Sequence, residues 1–183
     1  MNIYDFSLIL LMIFSLLSFV DGIVIHLFYY RLHEHPESRK EHYLHSLRAL
    51  LFFLTVLLIY YFESTGFWLW IGCIIIIIDY IVESIDMFAE KESRRLMGGL
   101  SSFEYWLHGT LVMFRSLSLG LWFSDFSIYR DSAERKLSGV SLIAIKQIMI
   151  STLIVFFIHV LLILKPDLFS LFSRQCCRIG EER

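Results

Sequence analysis

Three carboxylates lie within one of the most apolar stretches of the chain. Asp79, Glu83 and Asp86 fall inside residues 67–88, a stretch that opens with aromatic residues and continues through five consecutive isoleucines. Their spacing of four and three residues puts all three on one face of a helix. Because an acid at the centre of a bilayer costs about 2.5–3.5 kcal/mol on insertion scales, we expect these carboxylates to have partners elsewhere in the chain.

Histidines and acids in the other apolar segments are the candidate partners. Neutral imidazoles and carboxylates are the usual ligands of iron, zinc and manganese, and helical bundles supply them from facing helices at i,i+3 or i,i+4 spacing. Such spacings recur here, as in the pair His42 and His45 and the pair Glu104 and His108. The pattern predicts a site for a divalent metal, iron or zinc, with one or two ions. The candidate ligands are Asp21, His26, His42, His45, Asp79, Glu83, Asp86, Glu104 and His108.

Composition indicates the elements that must position these residues. Of the 183 residues, 57% are hydrophobic and only two are prolines, and the mean hydropathy is +0.65. These values predict an all-α integral membrane protein: a single polytopic domain of about five transmembrane helices, with helices 1–4 forming an antiparallel four-helix core. The predicted spans are residues 6–30, 41–63, 67–88, 102–123 and 142–164, followed by a short cytoplasmic tail at 165–183.

Basic residues near the helix ends predict the orientation. Both the loop between helices 1 and 2 and the loop between helices 3 and 4 carry lysine and arginine, whereas the turn at residues 63–66 carries none. Cytoplasmic loops are enriched in these bases, so we expect the N-terminus outside and the C-terminus in the cytoplasm. With this topology, all the candidate ligands fall in the cytoplasmic leaflet.

Several residues have more than one interpretation. Glu104 could close a capping box with Ser101, and His159 is expected to be a lone interhelical hydrogen-bonding residue. Asp21 and His26 are five residues apart, so on an ideal α-helix they diverge by about 140° and one of them could face elsewhere. Arg115 is expected to form a salt bridge with Asp79 or Asp21. Ion pairing through Arg48 and Arg115, without metal, is the alternative to the metal site.

The favoured function is a membrane-embedded metalloprotein, expected to be an enzyme that acts on a lipidic or quinone-like substrate from the bilayer. A di-iron site would suit oxidation, and zinc would suit hydrolysis through activated water. One alternative is an ion, proton or metal transporter that uses the same acids and histidines as a relay. Further alternatives are a b-type haem protein that uses His45 and His108, and a structural membrane protein. Nothing in the sequence indicates nucleic-acid binding, and the oligomeric state is left open.

Overall fold

The computed structural model describes residues 2–31, 38–93, 95, 99–129 and 139–165, so most of the predicted tail lies outside the described part. The described residues form five helices and no strand: α1 (Ile3–Tyr29), α2 (Arg39–Tyr61), α3 (Gly66–Ser93), α4 (Ser102–Tyr129) and α5 (Gly139–Leu164). The prediction of an all-helical chain is confirmed for these residues. The third helix continues five residues beyond its predicted end at residue 88.

Four of the helices, α1, α2, α3 and α5, are long and apolar enough to cross a membrane. The helix α4 is as long as α3 but is not among the four, because it carries Glu104, His108 and Arg115 within its first half. Large apolar side chains cover the outside of the bundle, including Trp70, which is 70% exposed, and Ile77, which is 59% exposed. Such a surface suits lipid rather than water.

Consecutive helices run antiparallel, and long-range contacts define their order around the bundle. The helix α1 packs against α4 and α5, and α2 packs against α3 and α5. The order around the bundle is therefore α1, α4, α3, α2, α5, so α5 lies between α1 and α2 on the perimeter, while side chains of α1 and α2 meet in the interior. The predicted core of helices 1–4 is thus incomplete, since α5 contributes buried residues such as Ile145 and Ile148.

The two halves of the bundle have different interiors. We call the inner half the end where α1, α3 and α5 finish and where α2 and α4 begin. The outer half has an apolar core that includes Leu11, Ile59 and Trp122. Its polar groups include the hydroxyls of Ser7 and Ser118, and the Oγ of Ser7 lies 2.8 Å from the carbonyl oxygen of Ser118. The ionisable residues considered below lie in the inner half and at mid-height.

Candidate metal centre

The buried ionisable residues form two adjoining groups. The arginine network consists of Arg48, Arg115, Asp79, Glu83 and Asp86. The histidine cluster lies deeper in the inner half and consists of Asp21, His26, Glu41, His45, Glu90 and His108.

In the arginine network, two guanidinium groups share one carboxylate. Arg115 donates from Nη1 to Oδ2 of Asp79 at 2.6 Å and from Nη2 to Glu83. Arg48 donates from Nη1 to Oδ2 of Asp86 at 2.9 Å and from Nη2 to Glu83. The expected salt bridge between Arg115 and Asp79 is confirmed. These contacts pair the three acids of the opening stretch with two arginines, which for Asp79 and Glu83 is the metal-free interpretation.

A change of helix type brings Asp21 and His26 together. From Val20 to Tyr29 the helix α1 is π-helical, and the amide of Tyr30 donates to the carbonyl of Ile25 five residues earlier at 2.9 Å. The i→i+5 hydrogen bonds of a π-helix bring residues five apart onto nearly the same face. Oδ1 of Asp21 consequently lies 3.5 Å from Nε2 of His26. The expected divergence assumed α-helical geometry and is wrong for this segment.

Glu90 is a member of the histidine cluster that the sequence analysis missed. It lies beyond the predicted third span, which ends at residue 88, but α3 continues through it and only 2% of the residue is exposed. Its Oε1 lies 3.4 Å from Nε2 of His26, and its Oε2 lies 3.1 Å from Nδ1 of His108. The available signal was its position seven residues after Glu83, which continues the acidic stripe of α3 on the same face.

Glu41 was also missed, although it lies four residues before His45 on α2. Its Oε1 is 3.9 Å from Nδ1 of His26, and its Oε2 accepts a hydrogen bond from the hydroxyl of Ser93 at 2.7 Å. His45 brings Nε2 within 2.8 Å of Nδ1 of His26 and Nδ1 within 2.9 Å of Oδ2 of Asp86. His45 therefore joins the histidine cluster to the arginine network.

Within the histidine cluster, two sets of ligand atoms have spacings suitable for a metal ion. In each set, one ligand atom per residue lies within 4.8 Å of all the others. Oδ1 of Asp21 and Oε1 of Glu90 are buried and form no hydrogen bond with any residue that the structure describes. The two sets share one histidine, and their members are His26, Glu41, His45 and Glu90 for the first and Asp21, His26 and His108 for the second.

The remaining predicted ligands lie outside both sets. Glu104 closes the capping box, because the amide of Ser101 donates to its Oε2 at 2.9 Å and the amide of Glu104 donates to the Ser101 hydroxyl at 3.2 Å. The same Oε2 accepts the Tyr30 hydroxyl at 2.9 Å. His42 faces α5, where its Nδ1 lies 3.1 Å from Nδ1 of His159. The interhelical hydrogen-bonding role expected for His159 is thus confirmed. The other predicted ligands outside the sets are Asp79, Glu83 and Asp86.

The formal charge of the two groups is strongly negative. Together they contain six carboxylates and two arginines, which gives a formal charge of −4 when every acid is ionised and every imidazole is neutral. A low-dielectric interior does not hold such an excess without cations or protons.

A cavity of about 100 Å³ adjoins the histidine cluster. Asp21, His45, Glu90 and His108 line one part of it. All five residues of the arginine network also line it, and apolar and hydroxyl side chains complete the wall.

The chain was compared with models of protein families, with curated proteins and with solved structures. None of the three comparisons finds a match.

Proposed function

We propose that this protein is an intramembrane metalloprotein that binds divalent cations in the histidine cluster. The observation that carries the proposal is the convergence of ligand atoms from four helices, α1 to α4, into two overlapping sets within 4.8 Å. Carboxylate oxygens and imidazole nitrogens are the donors that iron and zinc use in helical bundles. His26, Glu41, His45 and Glu90 would hold one ion, and Asp21 and His108, with His26 or Glu90, would hold a second.

The surroundings of His45 support a ligand role. Ligating histidines generally donate their second ring N–H to a carboxylate or a carbonyl, which fixes the tautomer and the orientation of the ring. Nδ1 of His45 faces Asp86 at 2.9 Å, so its Nε2 is left to face the cluster. Asp86 is itself held by Arg48. The hydroxyl of Ser93 likewise fixes one oxygen of Glu41 and leaves the other directed towards His26.

The formal charge supports two ions rather than one. Two divalent cations would supply the four positive charges needed to balance the arginine network and the histidine cluster. The histidines would then stay neutral, and the neutral imidazole is the form that coordinates metal. With one ion, two further protons would be needed for neutrality.

We further propose that the metal centre is catalytic and acts on a lipidic or quinone-like substrate. Bound iron would supply oxidation chemistry, and bound zinc would supply an activated water. The protein's own residues would hold the ions at Asp21, Glu90 and the histidines. The apolar part of the cavity wall, which includes Phe14, Phe52 and Leu111, would orient an apolar substrate and limit the access of water.

Two observations favour this function over a haem protein or a relay. The ring of His26 stacks on His45 with centroids 4.8 Å apart and meets His108 at 6.3 Å, so it occupies the space that a haem between those two histidines would need. On α4, the next acid beyond Arg115 is Asp125, about 15 Å further along the helix axis. The described core between them is apolar or carries neutral hydroxyls, which gives a charge relay no continuous path.

Elemental analysis and a visible spectrum of the purified protein test the proposal. We expect two iron or zinc ions per chain without a Soret band, and chelation should lower the unfolding temperature because only the folded bundle presents the site. Glu90→Gln should lose at least one ion. Glu104→Gln is the matched control, since it changes a buried acid of the inner half outside both ligand sets, and it should retain full occupancy. A metal-free wild type, or full occupancy in both Glu90→Gln and His26→Ala, would refute the metal centre.

A further inference from the structure

The helices α3 and α4 are joined by side chains at two separate levels. At mid-height, Arg115 of α4 contacts Asp79 and Glu83 of α3. In the inner half, His108 of α4 lies 3.1 Å from Glu90 of α3. The two levels are seven residues apart on both helices, from 83 to 90 and from 108 to 115, which corresponds to about 10 Å along the axes.

Between these levels the contact between α3 and α4 is sparse. No hydrogen bond or ion pair links α3 to α4 there among the residues that the structure describes. In addition, α3 lacks the close backbone packing on α4 that it has on α2. Met87 of α3 and Val112 of α4 lie in the stretches between the two levels. Met87 is 45% exposed on the outside of the bundle, Val112 is half-buried, and both also line the internal cavity. We call this stretch of sparse contact the α3–α4 window.

The cavity behind the window is lined by charged side chains, among them the whole arginine network, and by apolar ones. The histidine cluster contributes four residues to it, including Glu90 and His108, which also form the lower edge of the window. Phe14 and Phe52 are among the apolar residues of the wall, and Ser151 is among its hydroxyl residues. The volume of about 100 Å³ is smaller than that of an apolar cavity of about 150 Å³ that holds one benzene molecule. This space suits the end group of a molecule but not a whole lipid.

We propose that the substrate of the metal centre is a membrane-dissolved amphiphile that enters from the lipid side through the α3–α4 window. Its small polar end reaches the histidine cluster while its apolar part stays between Met87 and Val112 and in the surrounding bilayer. Methionine is flexible and adapts to irregular apolar surfaces, so Met87 can move aside without a change in the backbone. This inference rests on the proposed metal centre and adds the chemical class of the substrate and its route.

The route can be tested with one metal-binding group delivered from two phases. The protein in lipid nanodiscs is loaded with Co²⁺, whose visible spectrum changes when an external ligand binds. Imidazole is added from water, and 1-dodecylimidazole is added from the bilayer. Met87→Trp and Val112→Trp should slow the binding of dodecylimidazole by about 10-fold or more, because entry then needs a larger rearrangement. Met87→Ala should speed it. Met113→Trp is the matched control, since Met113 is 54% exposed on α4 and does not line the cavity.

The possible outcomes separate the route from the metal centre. Slower dodecylimidazole binding in the two tryptophan variants, with the Met113→Trp rate unchanged, supports the window. Unchanged rates in both tryptophan variants and in Met87→Ala refute it, provided that cobalt is bound. Imidazole that binds as fast as dodecylimidazole, at rates independent of Met87 and Val112, places the entrance at the aqueous end and also refutes the window. A protein that takes up no cobalt refutes the metal centre itself, before any ligand is added.

Discussion

The replacement of Arg115 by methionine tests whether the arginine network is a structural unit. The guanidinium of Arg115 contacts Asp79 at 2.6 Å and also Glu83, and it lies over the ring of Tyr80 at 4.1 Å from the centroid. Its side chain is 3% exposed, and that of Asp79 is 4% exposed. Methionine keeps much of the side-chain volume but removes the charge and every donor. In the variant, Asp79 loses its contacting base, whereas Glu83 keeps its contact with Arg48.

The expected loss follows from leaving one buried carboxylate without its ion pair. Removal of one partner from a buried ion pair costs about 3–5 kcal/mol, because the other charge stays buried. We therefore expect Arg115→Met to lower the free energy of unfolding by about that amount. Arg115→Lys keeps the charge but cannot hold two carboxylates in the planar fork of a guanidinium. It should lose about 1.5–3 kcal/mol, the typical value of one hydrogen bond to a charged group.

A second substitution separates the ion pair from a packing effect. Asp79→Asn in the Arg115→Met background removes the unpaired charge, so the double variant should be more stable than Arg115→Met by about 1–3 kcal/mol. The measurement is reversible unfolding in lipid–detergent micelles by increasing amounts of a denaturing detergent. It compares the wild type, Arg115→Met, Arg115→Lys and the double variant. The control is Lys146→Met, which removes an exposed base from α5 and should change the free energy of unfolding little.

Two results would contradict this reasoning. If Arg115→Met is no more destabilising than Lys146→Met, the guanidinium does not carry the stability assigned to it. If Asp79→Asn makes the Arg115→Met variant less stable, the loss comes from packing or from another partner.

Two other predictions concern topology and packing. In whole cells, a cysteine that replaces Lys40 should be protected from an impermeant thiol reagent, whereas one that replaces Thr65 should be labelled, because basic residues flank only the first of these sites. Permeabilised cells, in which both cysteines should react, provide the control. External labelling at Lys40 alone would invert the topology. Gly72→Ala should lower stability by about 1–3 kcal/mol, because an added Cβ would lie 2.6 Å from Cδ1 of the buried Ile59. Gly120→Ala should be neutral or stabilising by up to about 1 kcal/mol, since no atom of the described residues lies within 4 Å of its added Cβ. Equal losses in the two alanine variants would contradict this account of α2–α3 packing.

The helices could be predicted from the sequence largely because the length of an apolar run fixes where a span is possible. The same rule predicts an end of α3 that is too early, because the apolar run stops at Phe88, where charged residues follow. Hydropathy measures the cost of leaving water and not the stability of the helix itself. Residues 89–93 contain no glycine or proline, so the helix continues and carries Glu90 into the core. The place of α5 between α1 and α2 depends on side-chain packing, which a hydropathy pattern does not encode.

The division of the acids between ion pairs and candidate ligands depends on depth, which helical spacing alone does not give. Asp79 and Glu90 share one face of α3 but lie eleven residues apart, about 16 Å along the axis. The shift of the neighbouring helices along the bundle axis therefore determines the partners of each acid. That shift brings Arg115 to the outer end of the stripe and His108 to the inner end. The arginines pair with the acids at the outer end of the stripe, whereas Glu90 and its neighbours meet imidazoles. Imidazoles in their neutral form would leave these acids to be neutralised by a cation, which is the physical basis of the proposed metal centre.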